Sequence, residues 1–538
     1  MNRFGGARAT ARLPSRLMQV LFVAAECEPW AKIGGLGDVV DALARALGRI
    51  PGLLDESVEV FLPRYPFVAI PAGTPLDDLC VGVPDGDAGT AEVTIRSFDA
   101  GGYRLRLVDY PPCFDRSGVY GDGPVEFPDN ARRFTLLGRA ALEARRHEGR
   151  PVDVIAIHDW HACPVAILRD IVYADDPILG GAAITLTVHN PAYHGWTPRE
   201  RAPELGLGAA AAGVGDGWGI DLLAEGIRRA EMVNTVSPTY AREVLTPEAG
   251  QGLDGDLASR GDRFIGILNG LDQALWDPAT DAALAARYDV RDPSGKAACR
   301  RDLLARVGFD PDDPGPVLGV IGRLDPQKGF DLVAGALPRL LAAGARLVAL
   351  GSGDTRLVMG MRSLAGSAPR RVAMLERFDR DLARRIYAGA DLFLMPSRFE
   401  PCGQGQMIAM RYGTPPVARR TGGLADTIRD VTDDPDHGTG FLFGPATPEA
   451  LADSVERALA MLAAVGAADR AAWAAIVVRC MTLDWAWEST SAPAYAAMFR
   501  RAIARRRAAR TDALQGPPDA RQRASLVGVE GRSRSRPV

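Results

Sequence analysis

Short apolar runs alternate with helical-period segments along almost the whole of this chain, lapse near its middle, and then restart. That rhythm belongs to a parallel sheet covered by helices, repeated once. In the first half, residues 17–25, 58–62, 152–157 and 184–188 read as buried strands, and residues 38–47, 130–146 and 222–232 as helices. Residues 92–98 and 103–108 alternate with a period of two, which predicts a hairpin added to one sheet edge. In the second half, strands are expected at 317–321, 347–350, 372–375 and 392–395, with amphipathic segments at 331–341 and 382–388 between them. Helices at 448–464, 470–481 and 488–507 follow. A chain of 538 residues exceeds what one core holds. The expected fold is therefore α/β: two doubly wound domains facing an interdomain cleft. The expected division is a disordered extension (1–16), a first domain (17–268), a linker (269–293), a second domain (294–482), a helix returning to the first domain (483–510) and a disordered tail (511–538).

Composition removes several classes of function. A net charge of -4 gives no general attraction to nucleic acid or to an acidic membrane surface. No apolar run approaches the roughly 18 residues that a membrane span needs. The seven cysteines are scattered without a CxxC pair, so neither a disulfide framework nor a zinc site is indicated, and a reducing cytoplasm fits best. The expected cofactors are none and the expected metal is none.

Motifs cluster where strands end. Lys32-Ile33-Gly34-Gly35-Leu36-Gly37-Asp38 follows the first strand and opens a helix. Paired glycines let a phosphate approach the backbone, and a helix start supplies N–H donors, although such a turn can equally be purely structural. Arg420-Thr421-Gly422-Gly423-Leu424-Ala425-Asp426 repeats the pattern in the second half, so each domain is expected to aim a helix start at the cleft. Gly322-Arg323-Leu324-Asp325-Pro326-Gln327-Lys328-Gly329 follows another strand. Its two cations suit a diphosphate, Arg323 gripping bidentately and Lys328 acting as a point charge, or else form a solvated basic loop. Phe399-Glu400-Pro401-Cys402-Gly403-Gln404-Gly405 offers a carboxylate for sugar hydroxyls, or a local cap, with a helix start behind it. His158-Asp159-Trp160-His161 and His189-Asn190 end two strands of the first domain, and sugar recognition suits them better than metal, because imidazole and amide both donate and accept. Neither a GxSxG nor a Walker A sequence is present.

With these residues in view, the chain resembles the glycogen and starch synthase family of glucosyltransferases from about Val20 to Phe499. KIGGLGDVV, HDWHA, HNPAYHG, NTVSPTYARE, ILNGLD, GRLDPQKG, SRFEPCGQGQM and RYGTPPVARRTGGLADT occur in that family's order. The resemblance implies a GT-B fold of two Rossmann-like domains, an ADP-glucose donor, an α-glucan acceptor and retention of anomeric configuration. It places Lys32, Gly34 and Gly35 against the donor's phosphates and glucose, and Arg323 and Lys328 on the diphosphate. Glu400 falls on glucose hydroxyls and His189 beside the transferring glucose. Asp159, Asn190 and Asn269 line the pocket, Cys402, Gly403 and Gly405 belong to the donor loop, and Phe378 lies against the nucleobase. Two departures bear on substrate choice: Gln404-Gly405 stands where the family usually has Leu-Thr, and His194 replaces a common Gln. They leave open a UDP-glucose donor, or a small acceptor that yields maltose 1-phosphate.

Overall fold

A computed structural model describes residues 17–86, 89–123, 125–463 and 467–515. The expected N-terminal extension, and the tail from residue 516 on, lie outside the described residues. The chain divides into two compact units, one up to Val233 together with the residues from Tyr495 on, the other from Asn234 to Ala494.

The first unit is built on strands β1 (Val20–Val23), β2 (Glu59–Pro63), β3 (Asp77–Pro84), β4 (Thr90–Asp99), β5 (Arg104–Asp109), β6 (Val154–His158), β7 (Ala183–Val188) and β8 (Met232–Thr235). They lie in the order β8-β7-β6-β1-β2-β5-β4-β3. β1, β2, β6 and β7 are buried at every or nearly every position, because helices cover both faces of a parallel sheet, and so they read as unbroken apolar runs. β4 and β5 form the expected antiparallel hairpin, but β5 joins β2 in parallel register. The edge of the sheet is instead β3, paired antiparallel with β4. The first half of β3 is solvent-facing, so no apolar alternation announces it. Helix α1 (Gly35–Gly48) buries Leu36, Val39, Val40, Leu43 and Leu47 at helical spacing. Helix α2 (Asn130–Glu148) ends on Gly149 in the left-handed region, a common helix stop. Helix α3 (Leu222–Arg229) is shorter than expected, because Met232 already belongs to β8.

The second unit carries β9 (Val317–Ile321), β10 (Arg346–Leu350), β11 (Val372–Leu375), β12 (Leu392–Met395), β13 (Pro416–Arg419) and β14 (Phe441–Phe443), all parallel, in the order β11-β10-β9-β12-β13-β14. Its helices include α4 (Pro238–Glu243), α5 (Phe330–Ala342), α6 (Arg380–Gly389), α7 (Gly405–Arg411), α8 (Gly422–Thr427) and α9 (Pro448–Ala463). Leu318, Val320, Leu347, Leu394 and Val417 from the sheet pack with Val333, Leu337, Leu451 and Val455 from α5 and α9.

The contacts divide the chain at Val233, and the segment after β8 is hydrogen-bonded into the second unit through Ser237, Thr239 and Glu243. Residues 269–293, expected as a linker, are bonded within that unit too. Tyr288 Oη donates to the Tyr412 carbonyl at 2.8 Å, and Tyr412 Oη donates to Asp281 at 2.5 Å. The last helix, α10 (Ser491–Gln515), runs through residues 511–515 that were expected to be disordered, since its Ala- and Arg-rich sequence sustains a helix. Within the first unit Arg506 donates to the Gly180 carbonyl at 2.7 Å and lies 3.6 Å from both Asp170 and Glu231.

Candidate active site

An open parallel sheet offers a ligand crevice beyond the carboxyl ends of its strands, at the point where the chain switches direction across the sheet. In the second unit the chain runs outward from β9 to β10 and β11, then returns to β12 on the other side of β9. The switch point lies between β9 and β12, and there two of the expected residues meet. Lys328, on the loop after β9, holds its Nζ 2.7 Å from Oε2 of Glu400, on the loop after β12. Ser397 Oγ donates to the same oxygen at 2.9 Å. Glu400 is 5% exposed, so an uncompensated carboxylate here would be costly, and the ammonium offsets that cost. Asp325 fixes the Lys328 loop by accepting the Lys328 N–H at 3.0 Å.

The rest of the donor loop is backbone-driven. Gly403 has φ +73°, the left-handed region, and a Cβ there would come within 2.6 Å of Gln406 Oε1. Gly405 is the first residue of α7. Burial pushes the Cys402 thiol up to about 12, so it stays protonated and packs, and the Asn269 backbone N–H is bonded to it. Asn269 is itself 8% exposed, with Oδ1 buried and without a hydrogen-bond partner, a state that a ligand donor would relieve. Arg323 and Phe378 are not drawn into this group. The Arg323 side chain is largely solvent-exposed, 3.4 Å from Asp325 on its own loop. Phe378 is 83% exposed, with the Arg380 guanidinium 5.8 Å from its ring centre.

The first unit repeats the arrangement. β1 leads outward to β2, whereas β6 lies on its other side, so the switch point falls between β1 and β6. Asp159, directly after β6, has φ +53°, a strained conformation for a residue with a side chain. Its carboxylate accepts the His189 N–H at 2.7 Å and the Asn190 N–H at 3.4 Å, which ties the ends of β6 and β7 together. Burial raises Asp159 to about 7 in spite of those two bonds. His189 Nε2 stands 3.1 Å from His158 Nδ1, and burial holds His189 down at about 3. A neutral imidazole therefore faces this end of the sheet, able to hydrogen-bond but not to carry charge.

Neither Gly-Gly turn presents all of its first amides unoccupied. At the first, Glu26 accepts the Ile33 and Gly34 N–H groups at 2.6 and 2.8 Å, and also the Tyr120 hydroxyl at 2.5 Å. Lys32 pairs with Asp38 at 2.6 Å and with Glu28 at 3.6 Å. At the second, Glu243 accepts the Gly422 N–H at 3.0 Å. Sequence reasoning passed over Glu26, Tyr120, Ser397, Glu243 and Gln406, each of which acts by holding another residue. Only Ser397, Glu243 and Gln406 lay inside recognised blocks. Among the described residues, no group of three or more His, Cys, Asp or Glu side chains is placed to hold a metal ion, and no helix is long and apolar enough to cross a membrane.

Each of the two units is thus a doubly wound sheet with polar residues gathered at its switch point. Residues 19–259 match the family model described as "Starch synthase catalytic domain", and residues 315–461 match "Glycosyl transferases group 1". A glycogen synthase of Anaeromyxobacter dehalogenans is 43% identical over 90% of this chain and 99% of its own length. One from Geotalea uraniireducens is 37% identical over 91% of this chain and the whole of its own. Among solved structures, the catalytic domain of starch synthase IV from Arabidopsis thaliana, bound to ADP and acarbose, has a TM-score of 0.80 at 34% identity, covering 91% of this chain and 100% of that one. A sucrose-phosphate synthase from Thermosynechococcus elongatus shares the fold at a TM-score of 0.54 and 17% identity. The chain belongs to the glycogen and starch synthase family of glucosyltransferases.

Proposed function

We propose that this enzyme transfers glucose from ADP-glucose to the 4-hydroxyl at the non-reducing end of an α-1,4-glucan, with retention of configuration. The observation that carries the reading is the Lys328–Glu400 pair at the switch point of the second unit. It supplies, in one place, a cation for a leaving diphosphate and a carboxylate for sugar hydroxyls. The starch synthase IV neighbour, solved bound to ADP and acarbose, supports this reading.

In the reaction the bond between the anomeric carbon and the diphosphate oxygen breaks. The acceptor oxygen bonds to that carbon from the same face, and its proton passes to the departing phosphate. Negative charge grows on the leaving group, so cations fixed beforehand stabilise the transition state more than the ground state. Lys328 takes that role, the exposed Arg323 joining it when the donor binds, with Gly403 and Gly405 letting the backbone of the loop come close. Glu400 orients the glucose. His189, neutral, with Asn190, Asp159 and Asn269, hydrogen-bonds sugar hydroxyls, Lys32 and the Gly34–Gly35 turn border the glucose, and Phe378 stacks on the base.

A second reading keeps the chemistry but changes the substrates. Gly405 lacks a side chain at the start of α7, where the family's usual Thr would place a hydroxyl, and a Cβ there would press on Phe393 at 3.1 Å. That difference favours a looser hold on the phosphates, compatible with UDP-glucose or with phosphate-linked maltose as product. Labelled transfer from ADP-glucose and UDP-glucose to glycogen, maltose and glucose 1-phosphate, with the products sized, separates the two. Polymer extension from ADP-glucose alone is the expected result. No transfer from either donor would overturn both readings.

A further inference from the structure

The TGGLAD and VSPTYARE blocks have no part in the chemistry above, yet the structure joins them in a reciprocal clasp inside the second unit. Asp426, on α8, accepts the Thr239 N–H and the Thr239 hydroxyl, both at 2.7 Å, at the start of α4. Glu243, at the end of α4, returns the interaction. It accepts the Gly422 N–H and the Thr421 hydroxyl, both at 3.0 Å, at the start of α8. Each helix thus satisfies N–H groups that the other's first turn leaves without an internal partner. Four charge-assisted bonds between two short helices fix α8 more firmly than its own length could.

What α8 touches gives the clasp its consequence. The Gly423 N–H donates to the Glu400 carbonyl at 3.0 Å. A Cβ on Gly422 would sit 1.9 Å from that carbonyl oxygen, and one on Gly423 2.1 Å from the Cys402 oxygen. The glycine pair therefore lets α8 lie directly against the backbone of residues 400–402. Ser237, just ahead of α4, donates to the intervening Pro401 carbonyl at 2.6 Å. Gln406 closes the far side by donating to the Cys402 carbonyl and to Thr427 Oγ1, each at 3.1 Å. A shift of α8 must move the peptide that aims the Glu400 carboxylate, and a displacement near 1 Å at a reacting group can cost about 10²-fold in rate.

We infer that Thr239, Glu243 and Asp426 are positioning residues for the donor sugar, acting through α8 on the Glu400 loop. The inference rests on the reading of Glu400 as a donor contact, and the experiment keeps the two apart. Full-length wild type, Glu243→Gln, Asp426→Asn, Thr239→Val, Thr239→Ser and Glu400→Gln are compared for kcat, for KM of ADP-glucose and of glycogen, and for melting temperature. All rates are taken at a temperature where circular dichroism shows every variant folded. Glu243→Gln and Asp426→Asn should lower kcat about ten- to a hundredfold with the KM for glycogen unchanged. Thr239→Val, which removes the hydroxyl's bonds to Asp426 and from Arg242 and keeps the N–H, should lower kcat several-fold, and Thr239→Ser should restore it. Lower melting temperatures with wild-type kcat would make the clasp merely structural and overturn the inference. So would a wild-type kcat in Thr239→Val, should the two carboxylate variants fail to fold. If Glu400→Gln is crippled while the clasp variants turn over normally, only the inference falls. A normal Glu400→Gln enzyme would remove the donor reading and the inference with it.

Discussion

Lys328→Ala is the most direct test of the proposed chemistry. The ammonium stands 2.7 Å from Glu400, at the end of a sheet strand, on a loop pinned by Asp325. It is therefore held in place before the diphosphate departs and need not be reorganised during the reaction. One preorganised donor at a developing anion is typically worth about 3–4 kcal/mol, or roughly 10²–10³ in kcat. The change has a second consequence, because Glu400 loses its cation while remaining buried beside Ser397. Adding Glu400→Gln to Lys328→Ala should then cost less than Glu400→Gln alone, with a coupling on the order of 1–3 kcal/mol. Initial rates of label transfer from ADP-glucose to saturating glycogen give kcat for the four proteins of the cycle, and calorimetry confirms that each is folded. A kcat within about threefold of wild type, or strictly additive effects in the cycle, would refute the reasoning.

Three further outcomes are expected. Glu26→Gln replaces a carboxylate that receives two backbone amides and a tyrosine hydroxyl, so kcat/KM for the donor should fall about tenfold or more, and unaltered steady-state kinetics would release Glu26 from that role. Lys32→Met should cost much less than Lys328→Ala, because Asp38 and Glu28 already surround its charge, and equal losses in the same transfer assay would contradict that. His161, stacked on Tyr120 and held at about 3 by burial and then by Arg133, takes up its proton in the unfolded chain below its ordinary 6.5 but in the folded chain only near 3. It therefore withdraws about 5 kcal/mol of stability as pH falls through that window. Asp159, raised to about 7, works in the opposite direction over part of the range. The quantity to measure is accordingly the difference between wild type and His161→Gln in urea denaturation from pH 7 to 4. That difference should shift in favour of the variant as pH falls.

The sequence was most readable where burial is complete. Strands such as β6 and β9 are covered on both faces, and nothing in them competes with the apolar run. β3 was lost because its outer half faces solvent, and the tertiary bonds of Ser237 and Glu243 that carry α4 into the second unit leave no mark in the apolar rhythm. Among site residues, motif and strand end pointed to Lys328 and Glu400. That their charged groups touch depends on β9 and β12 being neighbours, which follows from strand order and has no local trace. Glu26 is a harder case. It sits six positions ahead of Lys32, outside the glycine pattern, and only the folded turn shows which amides it receives.

The two Gly-Gly turns show how a shared pattern can divide its labour. Each was read as an amide cradle for an anion, and each does hold one, but the anion is a carboxylate of the chain itself. A second negative group at those amides would meet the repulsion of the carboxylate already bonded there. In the proposed function the leaving diphosphate is assigned instead to Lys328, Arg323 and the start of α7. The glycines keep another function, which is close approach. At Gly422 and Gly423 any side chain would collide with the Glu400 and Cys402 carbonyl oxygens. At Gly34 and Gly35, by contrast, a Cβ would meet nothing within 4 Å, so only the second copy of the motif brings a helix start hard against the Glu400 loop.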